Sequence, residues 1–278
     1  MGKRGKNATM TKRVFECGPP RAVEGMAPTD IESRFAREFT AFDRILAIAD
    51  QLLERNAEKF ALDPKRRRLQ AAARLFGRAR KSVSAVRLLA SSGYGEDAMA
   101  VGRSLVNLCI DLAYIAQGES DERTEFWIAN GRLARRTMAL EFGLRTEDEG
   151  TADWNAVEAR AKKWRAVNIY ERAKATGLEN FYKVLYRHGS SFEHSDTWSL
   201  QAFLERSPEG PVLKSEPNED FVPQSLFAAY TFAQIAVIVG KLFEFALEGA
   251  EDEMLNVARD GLPRISPSEG LNSESHGF

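Results

Sequence analysis

The chain has 278 residues, 44% apolar and 28% charged, which excludes a disordered polymer and allows a sizeable core. Its 39 Lys and Arg against 40 Asp and Glu leave a formal charge of −1, so it is no polycation built to coat nucleic acid. Two cysteines, Cys17 and Cys109, cannot staple a chain this long and fit a reducing compartment, so a cytoplasmic location is expected.

Residues 1–28 are basic, carry Gly18-Pro19-Pro20 and lack apolar periodicity, which predicts a mobile arm with no secretory leader in it. From Asp30 apolar residues recur at three- and four-residue spacing (Ile31, Phe35, Phe39, Phe42, Ile45, Leu46, Ala49), predicting a first helix over 30–59. Asp63-Pro64 supplies a cap and a first-turn proline for a second helix reaching Ser91. Ser92-Gly93-Tyr94-Gly95 breaks it, and a third helix follows to Ala116. A fourth is expected over about 120–144, a fifth over about 154–176, and a sixth from Leu178 towards His194. Residues 207–220 hold three prolines and read as a loop with a short extended piece at Val212-Leu213. A last long helix covers about 222–259, and residues 261–278 read as a disordered polar tail. With no series of alternating strands and no repeat, the expected fold is an all-α bundle of six to eight helices, one domain over 29–260.

Residues 221–240 carry no charge and have the length of a membrane span. Pro223, Gln224, Ser225, Thr231 and Gln234 interrupt the run, so it reads as a buried bundle helix and a membrane is not expected.

Charge is segregated. Residues 64–95 hold nine basic side chains and no acidic one. Wound at about 100° per residue, Arg67, Arg74, Arg78 and Lys81 share a narrow stripe opposite Ala72, Phe76, Ala79, Val83, Val86 and Ala90. Such a stripe is either a solvated face paired with acidic neighbours or a phosphate-binding surface. More basic groups lie at Arg132, Arg135, Arg136, Lys162, Lys163 and Arg165, and acid gathers around 248–253.

Two of the three histidines fall in one stretch, residues 186–196. If that stretch is helical, Arg187, Ser190, Ser191 and His194 follow i, i+3, i+4, i+7 and share a face. One guanidinium, two hydroxyls and an imidazole suit a phosphodiester, because imidazole moves protons near neutral pH and guanidinium stabilises phosphoryl charge. The bland alternative is a core histidine with Arg187 at the surface. In the third helix, Arg103, Asn107 and Asp111 are spaced i, i+4, i+8 among apolar residues, and either pair with each other or line a pocket with Arg187 and His194.

Other chemistries find less support. His188 and His194 are six apart, where a helical zinc pair needs four, and no metal site or cofactor is expected. Cys109 lies in an apolar run and reads as core. Neither a glycine-rich phosphate loop nor a Gly-x-Ser-x-Gly elbow is present.

Arg187-His188 followed by His194 resembles the motif of HEPN domains (higher eukaryotes and prokaryotes nucleotide-binding). Those domains are all-α bundles, usually dimeric, and many are metal-independent endoribonucleases in toxin, abortive-infection and antiviral systems. The resemblance implies Arg187, His194 and His188 as catalytic residues, RNA as substrate, a homodimer, and in some systems a regulatory partner protein. The layout is also similar to a bacterial family of unknown function, in which Ser91-Ser92-Gly93-Tyr94, Ala98 and Arg103-Ser104-Leu105 precede a tyrosine-rich helix ending in His-Ser. Tyr182, Tyr186, His194 and Ser195 stand in those places, so the likeness covers about 85–118 and 178–200. It fails at Asn107, where that family usually has Glu, and Asp111 is the acid left to replace it. Two alternatives stay open: a non-catalytic helical protein binding a partner protein or nucleotide at the same polar centre, and a membrane-attached effector using 221–240.

Overall fold

A computed structural model describes residues 30–60, 66–118, 120–144, 153–186, 189–190, 204–207, 210–213 and 219–263. The arm over 1–28, the start signal Asp63-Pro64 and most of the tail lie outside them. The fold is all-α. Its helices are α1 (Asp30–Arg34), α2 (Ala36–Arg55), α3 (Arg67–Ser91), α4 (Gly95–Ala116), α5 (Glu122–Glu141), α6 (Trp154–Ala166), α7 (Ile169–Ala175) and α8 (Glu179–Phe181). After them come α9 (Val222–Ser225), α10 (Ala228–Leu242) and α11 (Ala250–Gly261).

Apolar periodicity decides what each helix buries. On α3, Ala72, Phe76, Ala79, Val83, Val86 and Ala90 are all buried, as their spacing predicts. They pack with Phe42 and Ile45 of α2, Leu105 and Leu112 of α4, and Phe232 and Ile235 of α10 in the main core. Among the described residues two helical segments are long and apolar enough to cross a membrane, Gly95–Ala116 and Val222–Leu242 (α9 with α10), and the second contains nearly all of the run noted in the sequence. In the fold 56% and 67% of their apolar windows are buried.

Three elements differ from the sequence expectation, each for a local reason. The expected fifth helix is two, because the Asn168 side chain accepts from the Glu171 N–H at 3.0 Å and caps a new helix, α7. The expected last helix is also broken. Glu244 takes a left-handed φ of 56°, the Phe245 N–H bonds back to the Gly240 carbonyl at 2.8 Å, and α11 starts beyond Gly249. Part of the expected proline loop is a hairpin, β1 (Leu204–Ser207) antiparallel to β2 (Gly210–Leu213), with Leu204 opposite Leu213.

Helices α5 and α6 form a hairpin with a small core of its own: Ala129, Val157 and Ala161, flanked by Leu133 and Trp154. Several basic groups noted in the sequence hold it together. Arg136 and Arg132 lie over the Trp154 ring at 4.4 and 5.7 Å, Lys163 over Phe126 at 4.9 Å, and Arg165 Nε donates to Asn130 Oδ1 at 2.7 Å.

Candidate functional site

Helix α4 has an apolar side in the main core (Leu105, Leu108, Cys109, Leu112, Ile115) and carries Arg103, Asn107 and Asp111 on the other. Burial pushes the Cys109 thiol up to about 12, so it is a core residue and no nucleophile at neutral pH. Val106 and Ile110, next to the polar row, pack with Ala173 of α7 and with Phe181, Tyr182, Leu185 and Tyr186. The polar row therefore faces the segment that leads into Arg187.

That segment winds as a π-turn over Tyr182–Tyr186. Its slower winding brings side chains four apart closer to eclipse than in an α-helix, and Tyr182 stacks on Tyr186 at 4.9 Å and 17°. Tyr170 of α7 lies against Tyr182 at 5.2 Å. At the other end of the row, Arg103 Nη2 donates to the Tyr186 hydroxyl at 2.8 Å.

Gly189 fixes how close the next residues come to α4. A Cβ there would lie 2.7 Å from Arg103 Cβ and 2.9 Å from the Met99 carbonyl oxygen, distances that real Cβ atoms do not tolerate. Glycine is thus required at 189 for the backbone there to touch α4 beside Arg103. Ser190 follows, half-buried. Arg187, His188, Ser191 and His194 lie outside the described residues.

The polar row itself does not pair internally, as one sequence alternative had it. Arg103 reaches Tyr186, whereas Asp111 faces Arg172 of α7, whose Nε is 3.4 Å from its Oδ1. Asn107, between them, is half-buried. Arg172 is buried over the Trp164 ring at 4.3 Å, and its Nε and Nη1 have no hydrogen-bond partner among the described residues. Burial outweighs the Arg172 charge and raises the Asp111 pKa to about 6. Arg172 was not foreseen: one arginine in a charged helix gives no periodic signal. A small cavity beside this region is lined by Met99, Gly102, Arg103, Leu185, Gln224 and Thr231.

Of the stripe expected on α3, Arg67 is paired with Glu125. Arg80 grips Asp50 at 2.7 Å, and Arg87 grips Asp43 and Glu32 at 2.9 and 2.6 Å, tying α3 to the α1–α2 segment. On the stripe itself the paired-neighbour alternative holds for Arg67 alone, Arg80 and Arg87 lying off it. Arg74, Arg78 and Lys81 are exposed and make no ion pair among the described residues. No three His, Cys, Asp or Glu side chains among the described residues converge as a metal ion would require.

No curated protein and no solved structure matches the chain. A model of a family of unknown function, DUF5677, matches residues 69–211, from the first turn of α3 into β2. The match takes in α4, the tyrosine turn and the Arg187-to-His194 stretch, just over half of the chain, and the protein belongs to that family.

Proposed function

We propose that the protein is a metal-independent endoribonuclease of HEPN type, a cytoplasmic effector of toxin or antiviral-defence character that works as a homodimer. What supports this reading is the seating of Gly189: this residue, two after Arg187, is held against a helix that presents Arg103 and a row of polar groups. RNA carries its own nucleophile. Its 2′-hydroxyl oxygen attacks the neighbouring phosphorus, the 5′-oxygen leaves, and a 2′,3′-cyclic phosphate remains. His194 takes or returns the proton, Arg187 stabilises charge on the phosphoryl oxygens, and His188 orients Arg187 or the substrate. Ser190 and Ser191 bond the phosphate, and Arg74, Arg78 and Lys81 attract the backbone of the strand.

The test is incubation of the purified chain with RNA and with DNA of the same sequence in EDTA. RNA alone should be cut, with 2′,3′-cyclic phosphate ends. Activity that needs a divalent ion, or that cuts DNA equally, contradicts the mechanism. One observation favours a second reading, a non-catalytic helical module for a partner protein or nucleotide. Arg103 already donates to the Tyr186 hydroxyl within the fold, as structural polar groups do.

A further inference from the structure

Helix α5 turns one face inward near its start and leaves the same face exposed further on. Near its start that face packs inward, with Thr124 buried and Trp127 against the main core. From Gly131 onward the same face is exposed. At about 100° per residue, Gly131, Ala134, Arg135, Met138, Glu141 and Phe142 fall within about 60° of Met138, and all six are exposed. Met138 is 55% and Phe142 73% exposed, although soluble helices normally turn such side chains inward. A Cβ on Gly131 would meet nothing within 4 Å. Arg135 and Glu141 make no ion pair among the described residues.

We infer that this face of α5 is the contact between two copies of the chain, related by a two-fold axis that crosses the helix at Met138. The face is complementary to itself about that point. Arg135 lies three residues before Met138 and Glu141 three after, so antiparallel helices place Arg135 opposite Glu141 of the partner subunit. Ala134 and Phe142 are each four residues away, so the large ring meets the small side chain of Ala134 of the partner subunit. Met138 meets its own copy on the axis.

Met138 and Phe142, 55% and 73% exposed, offer roughly 200 Å² of apolar surface at about 150–200 Å² per large side chain. Ala134 and the aliphatic stems of Arg135 and Glu141 add to it. An ordinary dimer takes about 800 Å² from each partner, a little over half of it apolar, so this face is the centre of a wider contact. This inference does not depend on the ribonuclease reading, since it needs neither Arg187 nor His194.

Sedimentation velocity of the full chain from about 1 to 100 μM tests it. A dimer should form with rising concentration, and Phe142→Glu should raise its dissociation constant at least tenfold without lowering the melting temperature. Arg135→Glu and Glu141→Arg should each weaken the dimer, and the double variant should restore it, because the charges exchange places across the axis. The charge swap keeps the test decisive if Phe142→Glu fails to fold. A chain that stays monomeric throughout overturns the inference. So does a dimer that Phe142→Glu leaves unchanged, or a double variant as weak as the single ones. Binding of the monomer to anionic lipid vesicles that Phe142→Glu abolishes would likewise overturn it and assign the face to a membrane.

Discussion

On one side of α4, Leu105, Cys109 and Leu112 are buried among side chains from α3 and α10. On the other, Arg103 bonds Tyr186, Asp111 faces Arg172, and the backbone at Gly189 presses against the helix. The first side is held by area, which tolerates any apolar neighbour of the right volume. The second is held by pairs that must meet one to one, and it keeps unsatisfied nitrogens on Arg172 that the first side never has. A helix of this kind is a scaffold on one face and a selective surface on the other.

The largest expected effect belongs to the apolar side. Leu105→Ala removes a side chain with no exposure from the main core and should cost about 2–5 kcal/mol in urea unfolding. A loss under about 1 kcal/mol would mean the apolar face is not the structural one.

The polar side should instead show itself through pH. Folding raises the Asp111 pKa from 3.8 to about 6, so between those values the folded chain holds a proton that the unfolded chain releases. Stability should therefore fall as pH rises from about 4 to about 6 and level off above it, by up to about 3 kcal/mol at 1.36 kcal/mol per unit. Asp111→Asn should lose that slope. If the variant and the wild type titrate in parallel, Asp111 ionises freely and the contrast between the two faces weakens.

Gly189→Ala sharpens the same contrast, since it forces a methyl into Arg103 and the Met99 carbonyl. It should cost about 1–3 kcal/mol by thermal melting, as overpacking does, and any RNA cleavage should fall with it. An unchanged melting temperature would show that the stretch is not seated on α4.

The smallest stability effect is expected where the molecule is open. Replacing Arg74, Arg78 and Lys81 together by Gln should change folding stability by less than about 0.5 kcal/mol. It should lower the slope of log affinity for single-stranded RNA against log salt by roughly two. An unchanged slope would return the stripe to ordinary solvated charge.

The two faces were also unequally legible in the sequence. The core positions of α3 and α4 follow from spacing alone, because burial of a stripe needs only the helical period. Asn168 carried a readable cap, with Glu171 at the third helical position, but apolar continuity around it hid the break. Glu244 gave no signal at all, since a non-glycine residue in the left-handed region is fixed by its surroundings. The pairing of Asp111 with Arg172 and of Arg103 with Tyr186 joins residues 61 and 83 apart. No periodicity reaches that far. The motif residues Arg187 and His194 were legible as types and spacing, and the requirement for Gly189 became visible only against α4.

The most direct test of the proposed activity is His194→Ala, followed by RNA cleavage in EDTA and thermal melting on the same preparation. A catalytic His194 predicts that cleavage is lost while the melting temperature stays within about 2 °C of wild type. A variant that cuts RNA as fast as wild type, or one that unfolds, would contradict the account and make the stretch a structural one.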